Sequence, residues 1–116
     1  MATTTLYGIK NCDTVKKARR WLEDAGVNYA FHDFRSDGLS AELVQAWLET
    51  LGSAALVNKR STTWKNLTDA QKQQAEQGDV LNLLLEHPTL IKRPVIDTGN
   101  QVQVGFKADQ YAELFH

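Results

Sequence analysis

Cys12, the only cysteine in the chain, is the residue whose type and setting best suit chemistry. It stands in Leu6-Tyr7-Gly8-Ile9-Lys10-Asn11-Cys12-Asp13-Thr14, where an apolar run gives way to polar neighbours. Thiolate is the nucleophilic form of cysteine, and the positive end of a helix favours it. A helix beginning just after residue 12 points its first free N–H groups back at the sulfur. The same groups suit an oxyanion under attack by that sulfur. Lys10 and Lys16 add positive potential, and Asp13 opposes it. An isolated cysteine is otherwise a small buried hydrophobe. The polar flanks Lys10, Asn11 and Asp13 favour the reactive alternative, and Asn11 and Asp13 are the adjacent candidate substrate contacts. Position 15 is valine, so there is no Cys-x-x-Cys pair. Any redox cycle must borrow a thiol from another molecule.

Two arginines are candidate anion binders. Arg60 lies in Asn58-Lys59-Arg60-Ser61-Thr62-Thr63-Trp64, and Arg93 in Ile91-Lys92-Arg93-Pro94-Val95. A guanidinium donates two parallel hydrogen bonds to a planar oxyanion or carboxylate. Each, taken alone, reads equally well as a solvated loop charge. Pro94 interrupts an apolar run and cannot donate to a strand ladder, so a strand should begin at or just after it. A cis Arg93–Pro94 bond is expected there. His32, His87 and His116 have no ligand spacing with the one cysteine, and no metal is assigned. Asp33 and Asp37, near Arg35, read as a solvated loop. Trp21, Trp47 and Trp64 read as core or core edge, and no basic-aromatic stripe suggests nucleic-acid stacking.

These residues must be positioned by regular elements. Thr3 to Tyr7 is β-branched and aromatic and predicts a strand ending at Gly8. Val15, Ala18, Trp21, Leu22 and Ala25 recur at helical spacing over 14–25, with Gly26 as the stop. Tyr29, Phe31 and Phe34 suggest a second strand. A strand–helix–strand order implies a parallel pair with a right-handed crossover. Ser40 caps a second helix that buries Leu43, Val44, Trp47, Leu48 and Leu51 and ends at Gly52. Residues 58–65 show no period and read as a loop. Thr68 begins a polar helix through Gln77, broken at Gly78. Residues 80–86 form a short apolar helix closed by His87 and Pro88. The strand after Pro94 turns at Thr98, Gly99 and Asn100 into a hairpin with Val102 and Val104. A last helix over 108–115 should turn Tyr111, Ala112, Leu114 and Phe115 inward. Strands and helices in this order give a mixed sheet flanked by helices.

Bulk properties narrow the function classes. The chain has 116 residues, one domain's worth, and is 42% hydrophobic. Thirteen Lys and Arg against fourteen Asp and Glu give a net charge of −1, which argues against a dedicated nucleic-acid binder. The first residues lack the basic and long apolar regions of a signal peptide. No apolar stretch approaches the roughly 20 residues that span a bilayer. A lone cysteine suits a reducing compartment, and a cytoplasmic location is expected.

Taken together, these segments resemble the ArsC/Spx (arsenate reductase-like) family of the thioredoxin superfamily, and most closely its YffB branch. The resemblance covers nearly the whole chain. It rests on residues 6–14 with Lys17-Ala18, on 58–64, on Ile91-Lys92-Arg93-Pro94, and on Val104-Gly105-Phe106. It implies an α/β fold: a thioredoxin-like mixed sheet flanked by helices in a single domain, 1–116, with an inserted helical subdomain at about 40–87. It implies that Pro94 is the cis-proline beside the active cysteine. It also implies that Arg60 and Arg93 hold an oxyanion, and that a third family arginine is replaced by Lys107. The function it implies is a glutathione-dependent thiol oxidoreductase with Cys12 as catalytic nucleophile. No cofactor is bound, and glutathione is the co-substrate. One alternative is an arsenate reductase that forms a cysteine–arsenate adduct and is completed by glutathione and glutaredoxin. An alternative of another class is an Spx-like regulator binding RNA polymerase, but Val15 removes the Cys-x-x-Cys oxidation switch of many such regulators. The implied partners are glutathione, glutaredoxin and a small oxyanion or mixed-disulfide substrate, with no membrane.

Overall fold

A computed structural model describes residues 4–34, 36–77, 80–99 and 101–115. The expectations placed on Arg35, Gly78, Asn100 and His116, and on the first three residues, lie outside the described residues. The elements are β1 (Thr4–Gly8), α1 (Asp13–Asp24), β2 (Tyr29–Asp33), α2 (Ala41–Leu51), α3 (Ser53–Leu56), α4 (Thr62–Lys65), α5 (Asp69–Glu76), α6 (Leu81–Glu86), β3 (Val95–Asp97), β4 (Val102–Val104) and α7 (Ala108–Leu114). The described residues form two compact units, one of residues up to Gly38 and from Arg93 onward, the other spanning Leu39–Lys92. Among the described residues no helix is long and apolar enough to cross a membrane.

The first unit is built on a mixed sheet of order β2-β1-β3-β4. β1 and β2 are parallel, with Leu6 opposite Phe31, as the intervening helix requires. β3 runs antiparallel to β1 and to β4. Leu6, Val15, Ala18, Leu22, Ile96 and Tyr111 are fully buried in one cluster. Leu6, Val15, Leu22 and Ile96 each contribute roughly 1.5–3 kcal/mol by leaving water. Val15, Ala18 and Leu22 form one stripe of α1, at the i, i+3, i+7 spacing that periodicity predicts. In α7 only Tyr111 is fully buried. The expectation for Ala112 is wrong: it is exposed, because one residue past Tyr111 turns about 100° away from the core.

The second unit is helical. Ser40 Oγ accepts the Leu43 N–H at 3.1 Å and starts α2, which buries Val44 and Trp47. Leu43, Leu48 and Leu51 are only partly covered. Gly52, at φ +84°, ends α2 and opens α3, a backbone turn that favours glycine. Thr68 and Gln71 form a reciprocal capping box on α5. The segment 58–65 is not all loop. Ser61 Oγ accepts the Trp64 N–H at 3.1 Å and starts α4, a single turn that buries Trp64. Four residues are too few to show a period, and the available signal was the Ser61 cap itself. A 3₁₀ turn, Pro88–Leu90, follows α6.

Candidate active site

Cys12 sits where β1 hands over to α1. β1 ends at Gly8, buried Ile9 follows, and the Cys12 N–H donates back to the Ile9 carbonyl at 3.1 Å. Cys12 takes the extended N-cap conformation, φ −84° and ψ 126°, and its carbonyl accepts the Lys16 N–H at 3.0 Å. Its side chain makes no capping hydrogen bond, in contrast to Ser40, Ser61 and Thr68 on their helices. The sulfur is therefore not committed to the helix, while the first amides of α1 lack helical partners. Cys12 is half-buried against the core cluster, and Lys10, Asn11 and Asp13 around it are exposed.

α1 can lie this close to β1 because residue 8 is glycine. A Cβ at that position would stand 2.6 Å from Val15 Cγ2. Val15 is β-branched and fully buried, so it has little room to yield.

Strand direction brings other candidate residues to the same edge of the sheet. β4 runs antiparallel to β3, and β3 antiparallel to β1, so β1, β2 and β4 all point one way. Their carboxyl ends share an edge with the start of β3. Tyr7 pairs with Val95, which sets Pro94 at the level of Gly8 and just before the Cys12 turn. The Arg93–Pro94 bond is cis, Pro94 is buried, and its carbonyl accepts the Gly105 N–H at 2.8 Å. Arg93 precedes it, half-buried, with its Nε enclosed and without a hydrogen-bond partner among the described residues. Lys107 follows β4 at this edge, exposed, as the N-cap of α7. Asn11, Cys12, Asp13, Arg93, Pro94 and Lys107 thus belong to one unit and one sheet edge. Arg60 belongs to the other unit, exposed in the turn before α4, where its N–H donates to Asn58 Oδ1 at 3.0 Å.

Asp33, expected in a solvated loop with Asp37, is instead 7% exposed. Its Oδ2 accepts the Lys10 N–H at 3.1 Å and its Oδ1 the Ser36 N–H at 3.2 Å. The Asp33 N–H in turn donates to Asp37 Oδ2 at 3.0 Å. A buried carboxylate needs such donors, and the free N–H groups of the two loops supply them. The Phe34 N–H donates to the Gly8 carbonyl at 2.8 Å and fastens the same crossing. Sequence reasoning missed Asp33 as a site residue; its one signal was a carboxylate closing an aromatic strand. His32 is not near a metal-binding set: its Nε2 lies 2.6 Å from the Gly38 carbonyl oxygen and its ring packs on Tyr7. Among the described residues no three His, Cys, Asp or Glu side chains come together to hold a metal ion.

Four similarities to known proteins bear on this site. A family model described as the ArsC family matches residues 7–114. A solved structure of a protein called YffB is 42% identical, with a TM-score of 0.91, covering 96% of this chain and 97% of its own. A solution structure of an arsenate reductase-related protein from Brucella melitensis is also 42% identical, with a TM-score of 0.77 and coverage of 97% and 94%. The global transcriptional regulator Spx of Bacillus subtilis strain 168 is 30% identical over 108 residues, spanning 91% of this chain and 82% of its own length.

Proposed function

The chain belongs to the ArsC family, and from that membership we propose that it is a thiol oxidoreductase with Cys12 as nucleophile and glutathione as co-substrate. The observation that carries this reading is the pairing of a free sulfur with an unused guanidinium donor. Cys12 caps α1 without spending its side chain, and Arg93 keeps a buried, unpartnered Nε at the same sheet edge. A buried donor without an acceptor costs about 1–3 kcal/mol, and an anionic substrate group would recover it.

The chemistry follows from having one cysteine. The Cys12 thiolate attacks the glutathione sulfur of a mixed disulfide, and the other partner leaves as its thiolate, which takes up a proton. Glutathione is then linked to Cys12. A second glutathione, as thiolate, attacks the glutathione sulfur of that adduct. Cys12 leaves as thiolate and glutathione disulfide departs. The net change is one mixed disulfide and one glutathione converted to one thiol and one glutathione disulfide. The first amides of α1 stabilise the sulfur while it is anionic, and Arg93 holds a carboxylate of the glutathione moiety. The part of Arg60 in anion binding is proposed from the sequence resemblance alone.

Arsenate reduction is the second reading, favoured by the 42% identity to an arsenate reductase-related protein. Lys107 weighs against it, since an ammonium lacks the planar fork of the family's third arginine. The test is turnover of a cysteine–glutathione mixed disulfide and of arsenate, each with glutathione, with and without glutaredoxin. Disulfide turnover is expected in the wild type, abolished in Cys12→Ser and reduced about tenfold or more in Arg93→Lys, the loss of one charge-assisted bond. Equal rates for wild type and Cys12→Ser would overturn the proposal. Turnover of arsenate alone would replace it with the second reading.

A further inference from the structure

We propose that the face of α1 bearing Lys16, Lys17 and Arg20 is a docking surface for a short acidic segment of a partner protein. Asp13, Lys16, Lys17 and Arg20 follow one another at i, i+3, i+4 and i+7, so they share one side of the helix. Together they line an open hollow of about 370 Å³. The side chains of these three cations make no ion pair or hydrogen bond among the described residues. Arg19, the fourth cation in this stretch, is engaged elsewhere. Its Nε donates to the Tyr29 hydroxyl at 3.1 Å, and its guanidinium lies 4.4 Å over the Phe31 ring. Arg19 thus braces α1 on β2, and its three neighbours are left facing solvent.

This concentration is an arrangement and not a product of composition, because the chain as a whole carries −1. Three cations face one carboxylate, Asp13, and the patch stops where Glu23 and Asp24 reverse the sign. From residue 13 to residue 20 the helix rises about 10 Å, the reach of about three extended residues. The occupant this favours is a run of three or four Asp or Glu side chains. A small anion is the weaker match, since the cations are exposed in an open hollow that encloses no ligand-sized group. Such groups act by steering and by multiple weak contacts over an extended partner. The patch begins one residue after Cys12, so an acidic segment lying along it brings its parent protein alongside the thiol.

The test uses the whole chain, isotope-labelled for NMR, and a blocked hexapeptide of alternating Glu and Asp that contains no thiol. Its binding does not depend on Cys12 reactivity, so failure here is distinct from failure of the proposed enzyme activity. Amide shifts confined to residues 13–20 are expected at about 20 mM salt, with affinity at least about tenfold weaker at about 300 mM. The Lys17→Gln/Arg20→Gln double variant, altered only at exposed positions, is expected to melt like the wild type and to lose about tenfold in affinity. The Gln/Asn version of the peptide should not bind. Three outcomes would overturn the proposal: shifts scattered over the whole surface, unchanged affinity in the double variant, or succinate occupying the same amides as tightly as the peptide.

Discussion

Asp33, at the end of β2, accepts the backbone N–H of Lys10 at 3.1 Å, across 23 residues of sequence. The bond fixes the loop that presents Cys12 to a carboxylate that is itself buried. Its second oxygen holds the Ser36 N–H, so one side chain joins the loops that leave two parallel strands.

Replacing Asp33 by Ala should therefore loosen the Cys12 turn as well as the fold. Two backbone donors lose their acceptor, at a cost of about 1–3 kcal/mol each where they remain buried. Asp33→Asn keeps one carbonyl oxygen and should lose less. Urea unfolding gives the stability change, and iodoacetamide labelling of Cys12 under native conditions gives the effect on the thiol. Labelling at the wild-type rate in Asp33→Ala would refute the positioning role.

Cys12→Ser should uncouple stability from activity. Serine is a preferred N-cap, and the Cys12 sulfur makes no capping bond. The variant is expected to be as stable as the wild type or more so, by up to about 1 kcal/mol, a rise of a few degrees in melting temperature. Disulfide turnover should vanish. A large loss of stability would mean that the sulfur is chiefly a packing group against the Leu6, Val15 and Tyr111 cluster.

Gly8→Ala should damage the site from below. The added methyl would press on Val15 Cγ2 at 2.6 Å and push the start of α1 outward. Such overpacking costs about 1–3 kcal/mol. The double variant Gly8→Ala/Val15→Ala removes the obstructing methyls and should recover the Cys12 labelling rate better than it recovers stability. If Gly8→Ala alone labels and melts like the wild type, close packing of β1 and α1 is not what places the thiol.

Tyr111 gives a prediction in pH. Its hydroxyl is buried without a partner among the described residues, and burial pushes its phenol well above the ordinary range. The unfolded phenol loses its proton above about pH 10, whereas the folded one keeps it. The unfolded state then binds fewer protons, so stability is full below about pH 10 and falls as pH rises further. Tyr7 shifts the same way, through burial first and the Asp97 charge second, so the comparison must be with a variant. Tyr111→Phe should be neutral or stabilising by about 1 kcal/mol at pH 8 and should show a smaller alkaline loss at pH 10.5. Identical pH slopes for the two proteins would refute it.

Local sequence determined a good deal of this protein. Helical spacing of Val15, Ala18 and Leu22 is a property of one stretch of chain, and so are the Ser40 and Thr68 caps and the Gly52 stop. The same local evidence set Cys12 between a strand and a helix, with no second cysteine in the chain to pair with it. Relationships between distant segments were not legible there. Asp33 read as a solvated loop residue because its donor, the Lys10 N–H, belongs to another strand's exit. α4 leaves no periodic signal because it is a single turn, and Ala112 cannot be placed from its own segment because a helix's buried face depends on what it packs against. Arg93 and Lys107 share an edge with Cys12 only through the parallel and antiparallel directions of four strands. Periodicity and capping act within a few residues, whereas strand register and burial are fixed by pairing across the whole unit. The elements were therefore written in the sequence, and the meeting of their ends was decided by the sheet.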